Sequence, residues 1–160
     1  MIEAGAFDNM WVELVEGELE RMPPPGEEHS TRLLDLIAAL LQVLPKALIK
    51  PEVAIGLGDD TVFGCDLAVR KEPIVRTGPL APSDLALAVE IAVSTRERDL
   101  GYKRQRYAAA AIPTYWVIDE AARVVHVFAQ PDAGDYRDIA VVRFGEPLTV
   151  PGSEATITLE

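Results

Sequence analysis

The sequence predicts an α/β fold in which helices flank a mixed β-sheet. Three observations predict it. Residues 85–93 read Leu-Ala-Leu-Ala-Val-Glu-Ile-Ala-Val, eight apolar residues in nine, the pattern of a central strand covered on both faces. A helical stretch and a second apolar strand, Tyr115 to Ile118, follow it, giving a strand–helix–strand crossover expected to be parallel and right-handed. Upstream, Leu33, Leu34, Ile37, Leu40, Leu41 and Leu44 recur at the three- and four-residue spacings of an amphipathic helix.

The elements follow in order along a single domain, residues 1–160. Trp11-Val12-Glu13-Leu14-Val15 and Glu18-Leu19-Glu20 flank Glu16-Gly17, which reads as a small hairpin over about 11–22, with glycine at the turn. A core spans about 28–130. Its first helix runs from Ser30, a candidate N-cap, to about Leu48, with Pro45 set to kink or end it. Extended segments follow at Val53 to Ile55 and Thr61 to Val69. In 85–93, alternation sets Leu85, Leu87, Val89, Ile91 and Val93 on one face and Ala86, Ala88, Glu90 and Ala92 on the other. Thr95 is the candidate N-cap of a helix to about Ala111, stopped by Pro113. Strands at Tyr115 to Ile118, Val124 to Phe128 and Ile139 to Phe144 complete the pattern, with C-terminal strands over about 136–159.

Composition narrows the function. The 49% apolar content is too high for a disordered chain, and no apolar run reaches the ~20 residues of a membrane span. The N-terminus lacks a basic start followed by an apolar run, so no secretory signal and no membrane partner are expected, and a cytoplasmic location is the default. One cysteine, Cys65, excludes an internal disulfide and a cysteine-based zinc site; it reads as a small inert core residue. The net charge of −11 argues against nucleic-acid binding by bulk charge. The distribution is uneven, however. Residues 1–30 carry eight acids and one base, whereas Arg96, Arg98, Lys103, Arg104 and Arg106 face only Glu97 and Asp99 over eleven residues. That run is either a solvated helix face or a local basic patch.

Glu90 is a lone acid in an apolar strand, so it needs a partner, a proton or a cation. Asp66, within Val62 to Val69, is the natural companion; if the two strands pair, the carboxylates lie side by side and repel. A divalent metal resolves that repulsion, and Mg²⁺ favours one or two carboxylates with waters and phosphate oxygens. Counting back from Ser94, Glu90 lies about 13 Å along the strand. Counting forward from Thr95, Lys103 lies about 12 Å along the helix. A helix folded back over the strand therefore brings Lys103 level with Glu90. Asp99, Lys103 and Tyr107 are spaced by four and share that helix face. The alternative is plain: Asp99 and Lys103 as an ordinary surface pair, Tyr107 as core, Glu90 paired with any arginine.

The stretch Asp84 to Thr95 (DLALAVEIAVST), continuing through Arg98-Asp99-Leu100-Gly101-Tyr102-Lys103 and Tyr107 to Pro113 and closing on Tyr115-Trp116-Val117-Ile118-Asp119, resembles the Uma family (Uma-two) of restriction endonucleases, a branch of the PD-(D/E)xK nuclease superfamily. Cys65-Asp66-Leu67-Ala68-Val69, Glu13 to Leu19 and Met22 to His29 resemble it too, so the likeness covers nearly the whole chain to about residue 130. The resemblance implies a restriction-endonuclease-like core. In it Asp66, Glu90 and the backbone carbonyl of Ile91 bind Mg²⁺ or Mn²⁺. The superfamily lysine two residues after the acid is Ala92 here; the resemblance implies that Lys103 replaces it from the helix, orienting or activating water and stabilising charge on the phosphate. Two positions depart from the pattern. Cys65 stands where a proline usually precedes the aspartate, and Ala92-Val93-Ser94-Thr95 lacks the proline of the usual Ser-Pro-Ser-Thr.

His29 and Glu18 are supporting candidates, as a DNA-facing or ligand-orienting group and an accessory acid, against structural or solvated readings. His126 in a late strand reads as solvent-facing. The leading expectation is a metal-dependent endonuclease acting on DNA, the basic run 96–106 meeting the phosphates. The alternatives are a catalytically inactive nuclease-like scaffold that binds protein or nucleic acid, and an unrelated α/β domain whose acids form ordinary salt bridges. Cutting both strands of a two-fold symmetric duplex would suit a C2 homodimer.

Overall fold

A computed structural model describes residues 11–160 of the chain. The start of the N-terminus, where no secretory signal is read, lies outside the described residues. Strands β1 (Trp11–Val15) and β2 (Glu18–Met22) form the expected hairpin, its two-residue turn holding Glu16 at φ 50° and Gly17 at φ 83°. Positive φ at both positions matches the right-handed twist of the flanking strands. Helix α1 (Glu27–Leu41) starts three residues before Ser30, which is not its cap; Gly26 holds that position, and Glu27 and Glu28 set negative charge against the positive helix end. The helix stops at Leu41, short of Pro45.

Strands β3 (Ile49–Gly56), β4 (Val62–Arg70) and β5 (Leu85–Ala92) come next. A helical stretch then runs through α2 (Arg96–Arg98), a π turn (Asp99–Lys103) and α3 (Arg104–Ala109), ending close to where the sequence places it. Strands β6 (Thr114–Asp119), β7 (Val124–Asp132) and β8 (Asp135–Arg143) extend the sheet, and β9 (Leu148–Thr149) and β10 (Thr156–Ile157) make a short separate ribbon. The main sheet runs β2-β1-β4-β5-β6-β7-β8, with β3 also paired to β4. It is mixed: β5 and β6 are parallel across the helical crossover and the other pairs are antiparallel.

Two apolar layers cover the sheet. On one face, Leu33, Leu36 and Leu40 of α1 pack on Leu67, Leu87, Val89, Ile91 and Trp116, with Leu148 and Ile157 of the ribbon. On the other, Tyr107 and Ala108 pack on Phe63, Cys65, Ala88, Ala92 and Tyr115. The expected faces of β5 hold except at Leu85, which joins the second layer beyond an irregularity at Val69/Arg70, and Val93, which is exposed. Leu34 and Leu41 of α1 are also exposed, while Leu36 is fully buried in their stead. Among the described residues, no helix is long and apolar enough to cross a membrane.

Candidate active site

Strand β4 has two edges. β3 pairs along one from Gly56↔Val62 to Ile49↔Val69. The other is shared: β5 pairs with it from Arg70 back to Leu67↔Val89, and β1 meets it only at Leu14↔Val62. Residues 63–66 are left between, with peptide groups that side chains must satisfy. The Gly64 amide donates to Glu13 Oε1 at 3.0 Å, and the Gly64 carbonyl accepts from Lys103 Nζ at 2.8 Å. The Asp66 carboxylate takes over where the ladder ends, accepting from the Ile91 amide at 2.7 Å.

The backbone is irregular at the same point. Cys65 and Phe63 face the Tyr107 layer, whereas Leu67 faces the α1 layer, so the strand's alternation slips at Asp66. Opposite, the β3–β4 register skips Glu52, which is held at φ 50°. A left-handed glutamate in a strand is costly and persists only where surrounding structure enforces it. The slip turns Asp66 out of the sheet into a cleft of about 580 Å³ that Glu13, His29, Glu90, Ile91, Asp99 and Lys103 also line.

Groups from both faces of the sheet converge there. His29, in the first turns of α1, sets Nε2 2.9 Å from Asp66 Oδ1. Burial pushes the Asp66 carboxyl up, but bonds from His29 and the Ile91 amide outweigh it and hold it below the usual range. The same contact with Asp66 raises the His29 imidazole. Glu90 is 3% exposed, and its Oε1 accepts from Tyr107 OH at 2.8 Å and Lys103 Nζ at 3.1 Å. Burial nevertheless pushes its carboxyl well above the ordinary value; Lys103 opposes that shift, and the neighbouring Asp66 adds to it. Asp66 and Glu90 line the same cleft.

Lys103 is 3% exposed; its Nζ donates to the Gly64 carbonyl and to Glu90 Oε1, and it forms an ion pair with Glu13 Oε1 at 2.8 Å. Burial alone would discharge it, but Glu90 and Glu13 outweigh burial and hold it well above the usual lysine range. Its two acidic neighbours favour the charged form. The π turn sets Lys103 and Asp99 inward together. Burial raises Asp99 to about 6, against the pull of Thr95, whose hydroxyl bonds its Oδ2, and of Lys103. Thr95 holds the expected N-cap position and its carbonyl accepts from the Asp99 amide, but its hydroxyl goes to the Asp99 side chain and not to a helix amide. Tyr115 OH fixes the turn by donating to the Asp99 carbonyl at 2.9 Å.

Thus Asp66, Glu90, Lys103, Ile91, His29, Asp99 and Tyr107 come together as the sequence suggests. Glu18 does not: it is exposed at the first position of β2 and outside the cleft lining. The hairpin acid that enters is Glu13, 5% exposed, which sequence reasoning missed. Its signal was weak: alternation with Val15 sets it on the inward face of β1. The basic run also needs correcting as a phosphate-facing patch. Arg96 pairs with Asp119, Arg98 with Glu13 and Glu20, Arg104 with Asp135, and Arg106 with Glu16. His126 is not solvent-facing; Nε2 lies 3.2 Å from buried Asp119. Cys65 is a buried free thiol, pushed up by burial.

The donor set fits a hard divalent cation of modest demand. Two carboxylates meet in one cleft, and burial together with Asp66 works against charge on Glu90, a strain that a cation between them would relieve. Among the described residues, no cluster of three or more His, Cys, Asp or Glu side chains stands ready to ligate a metal. A cation here would therefore complete its shell with oxygens from main chain, water or phosphate, the habit of Mg²⁺ rather than Zn²⁺.

A family model described as "Putative restriction endonuclease" (Uma2) matches residues 7–160. The chain is similar in structure to a protein from Anabaena variabilis described as "a putative nuclease belonging to DUF820". Identity is 20% and the TM-score 0.64, over 94% of this chain and 88% of that one. No curated protein matches the chain.

Proposed function

Because this chain belongs to the Uma2 restriction endonuclease family, we propose that it is a metal-dependent endonuclease hydrolysing phosphodiester bonds in DNA. The observation that carries the reading is the convergence of Asp66, Glu90 and Lys103 in one cleft, with Lys103 Nζ 3.1 Å from Glu90. Asp66 and Glu90, with the Ile91 carbonyl, would hold Mg²⁺ or Mn²⁺. A divalent cation bound there supplies Lewis-acid stabilisation of the phosphoryl oxygens and a more acidic water.

The chain's own residues do the rest. Lys103, buried and held toward its charged form by Glu90 and Glu13, presents its ammonium to charge developing on the phosphate, where the shielded setting strengthens the interaction. Glu13 and Gly64 hold it at the edge of β4, while Tyr107 and Lys103 together fix the rotamer of Glu90. His29 holds Asp66 from the opposite face.

The inactive-scaffold reading has one observation in its favour: Asp66 Oδ2 and Glu90 Oε1 already accept hydrogen bonds from protein donors, and His29 Nε2 sits 2.9 Å from Asp66 Oδ1. Mn²⁺-dependent cleavage of supercoiled and single-stranded DNA decides between them. Wild type should cut, and Glu90→Gln and Asp66→Asn, purified identically and folded by circular dichroism, should not. A scaffold would give no cleavage and no Mn²⁺ binding that disappears in Asp66→Asn.

A further inference from the structure

The cleft has a second wall that the phosphate chemistry does not use. Trp11 opens β1 and is 49% exposed, while Trp116, the other tryptophan of the chain, is fully buried. Beside the Trp11 indole, the cleft is rimmed by Met22, its cross-strand partner, by the rigid Pro23 to Pro25 segment and by Val93, which is 41% exposed. Trp11 and Glu13 point to the same side of β1, about 7 Å apart along the strand. Glu13 lies 2.8 Å from Lys103 Nζ, so the indole stands one strand repeat from the acid that holds this lysine, in the lining of the same cleft.

Charge separates the nucleic acids that such a cleft accepts. Duplex binding is driven by cations that neutralise many phosphates. Here Arg98 and Lys103 are held by Glu13, Glu20 and Glu90, and the whole chain carries −11. Proteins that take unpaired strands gain instead from bases stacked on exposed aromatic rings. A base inside a duplex already has its faces covered and cannot reach the indole.

We infer that Trp11 is a stacking platform for an unpaired base next to the scissile phosphate, which makes single-stranded or locally unpaired DNA the preferred substrate. The inference rests on the nuclease reading and sharpens it. Binding of labelled oligo(dT), and of a duplex of equal length, to the full chain in Ca²⁺ tests it by fluorescence anisotropy. Emission of the exposed indole is followed in parallel, with Trp116 as a shielded internal reference. Oligo(dT) should quench that emission and bind more tightly than duplex. Trp11→Ala should weaken it about ten-fold or more, and Trp11→Phe, which keeps a ring, should retain most of the affinity. Equal affinity of Trp11→Ala and wild type for oligo(dT), or duplex bound as tightly as the single strand, overturns the platform. Cleavage in Mn²⁺ separates the two readings. Trp11-dependent binding without cleavage overturns the nuclease and leaves the platform; cleavage of single strands unchanged in Trp11→Ala overturns the platform alone. Neither binding nor cleavage of any DNA overturns both.

Discussion

Lys103 shows how much one side chain settles. It stands between Glu13 and Glu90, all three at most 5% exposed. Removing one partner of a buried ionic group costs about 3–5 kcal/mol, because the remaining charges have nowhere to go. Lys103→Met should therefore lose stability of that order in urea unfolding. Adding Glu13→Gln should recover part of the loss, a non-additivity expected of residues in contact. Asp99 gives a pH signature. Its folded value of about 6 exceeds the ordinary 3.8, so folding takes up a proton between those values. Stability contributed there is fully present below about 4 and falls as pH rises through about 6, by roughly 3 kcal/mol. Asp99→Asn should remove that fall, read as a flatter dependence of the urea midpoint on pH from 4 to 7 in metal-free protein. Asp66 and Glu90 were legible in the sequence because a carboxylate inside an apolar strand has to be explained. Glu13 was not, because a glutamate in a short hairpin strand looks like a solvated one, and only the strand arrangement reveals that β1 closes the edge β5 leaves open.

At the scale of elements, the central strands were legible and the helix phases less so. β5 and β6 announce themselves because burial on both faces leaves few polar choices. In α1 the apolar stripe is broad, and Leu33, Leu34, Leu36, Ile37, Leu40 and Leu41 offer more than one face to a sheet. Contact with Leu67, Leu87 and Val89 selects Leu33, Leu36 and Leu40, with Arg32 buried alongside by Glu120, the Glu160 carbonyl and the Phe144 ring. Leu36→Ala should accordingly cost about 2–5 kcal/mol in equilibrium unfolding. Leu34→Ala, at an exposed position, should stay within about 0.5 kcal/mol. The π turn was invisible in the sequence. Its i,i+4 spacing reads as an ordinary helix, and the wider winding answers to tertiary demands: the Tyr115 hydroxyl on the Asp99 carbonyl, and two charged side chains that must both turn inward.

The whole molecule sets how it meets a polyanion. Read linearly, residues 96–106 look like a basic patch; in the fold, each of its five cations meets an acid from elsewhere in the chain. Linear charge could not show this, because the partners Glu13, Glu16, Glu20, Glu90, Asp119 and Asp135 come from five strands and a turn. Arg96 keeps the most freedom. Its Nε donates to Asp119 at 2.7 Å while the side chain remains 53% exposed, so its outer nitrogens can reach a strand entering near Thr95. One or two phosphate contacts of this kind give a salt dependence far below that of a basic DNA-binding protein. For a single strand the logarithmic slope is about −0.7 per neutralised phosphate, so oligo(dT) affinity should fall by less than about ten-fold between about 50 and 200 mM salt. Screening of the chain's own negative charge works in the opposite direction and flattens the dependence further. Anisotropy titrations across that range check it. A fall of a thousand-fold would mean that many cations reach the phosphates, which requires the ion pairs of 96–106 to open on binding. Arg96→Ala would then remove only one contact among several, whereas in the closed arrangement it should abolish most of the small salt dependence that remains.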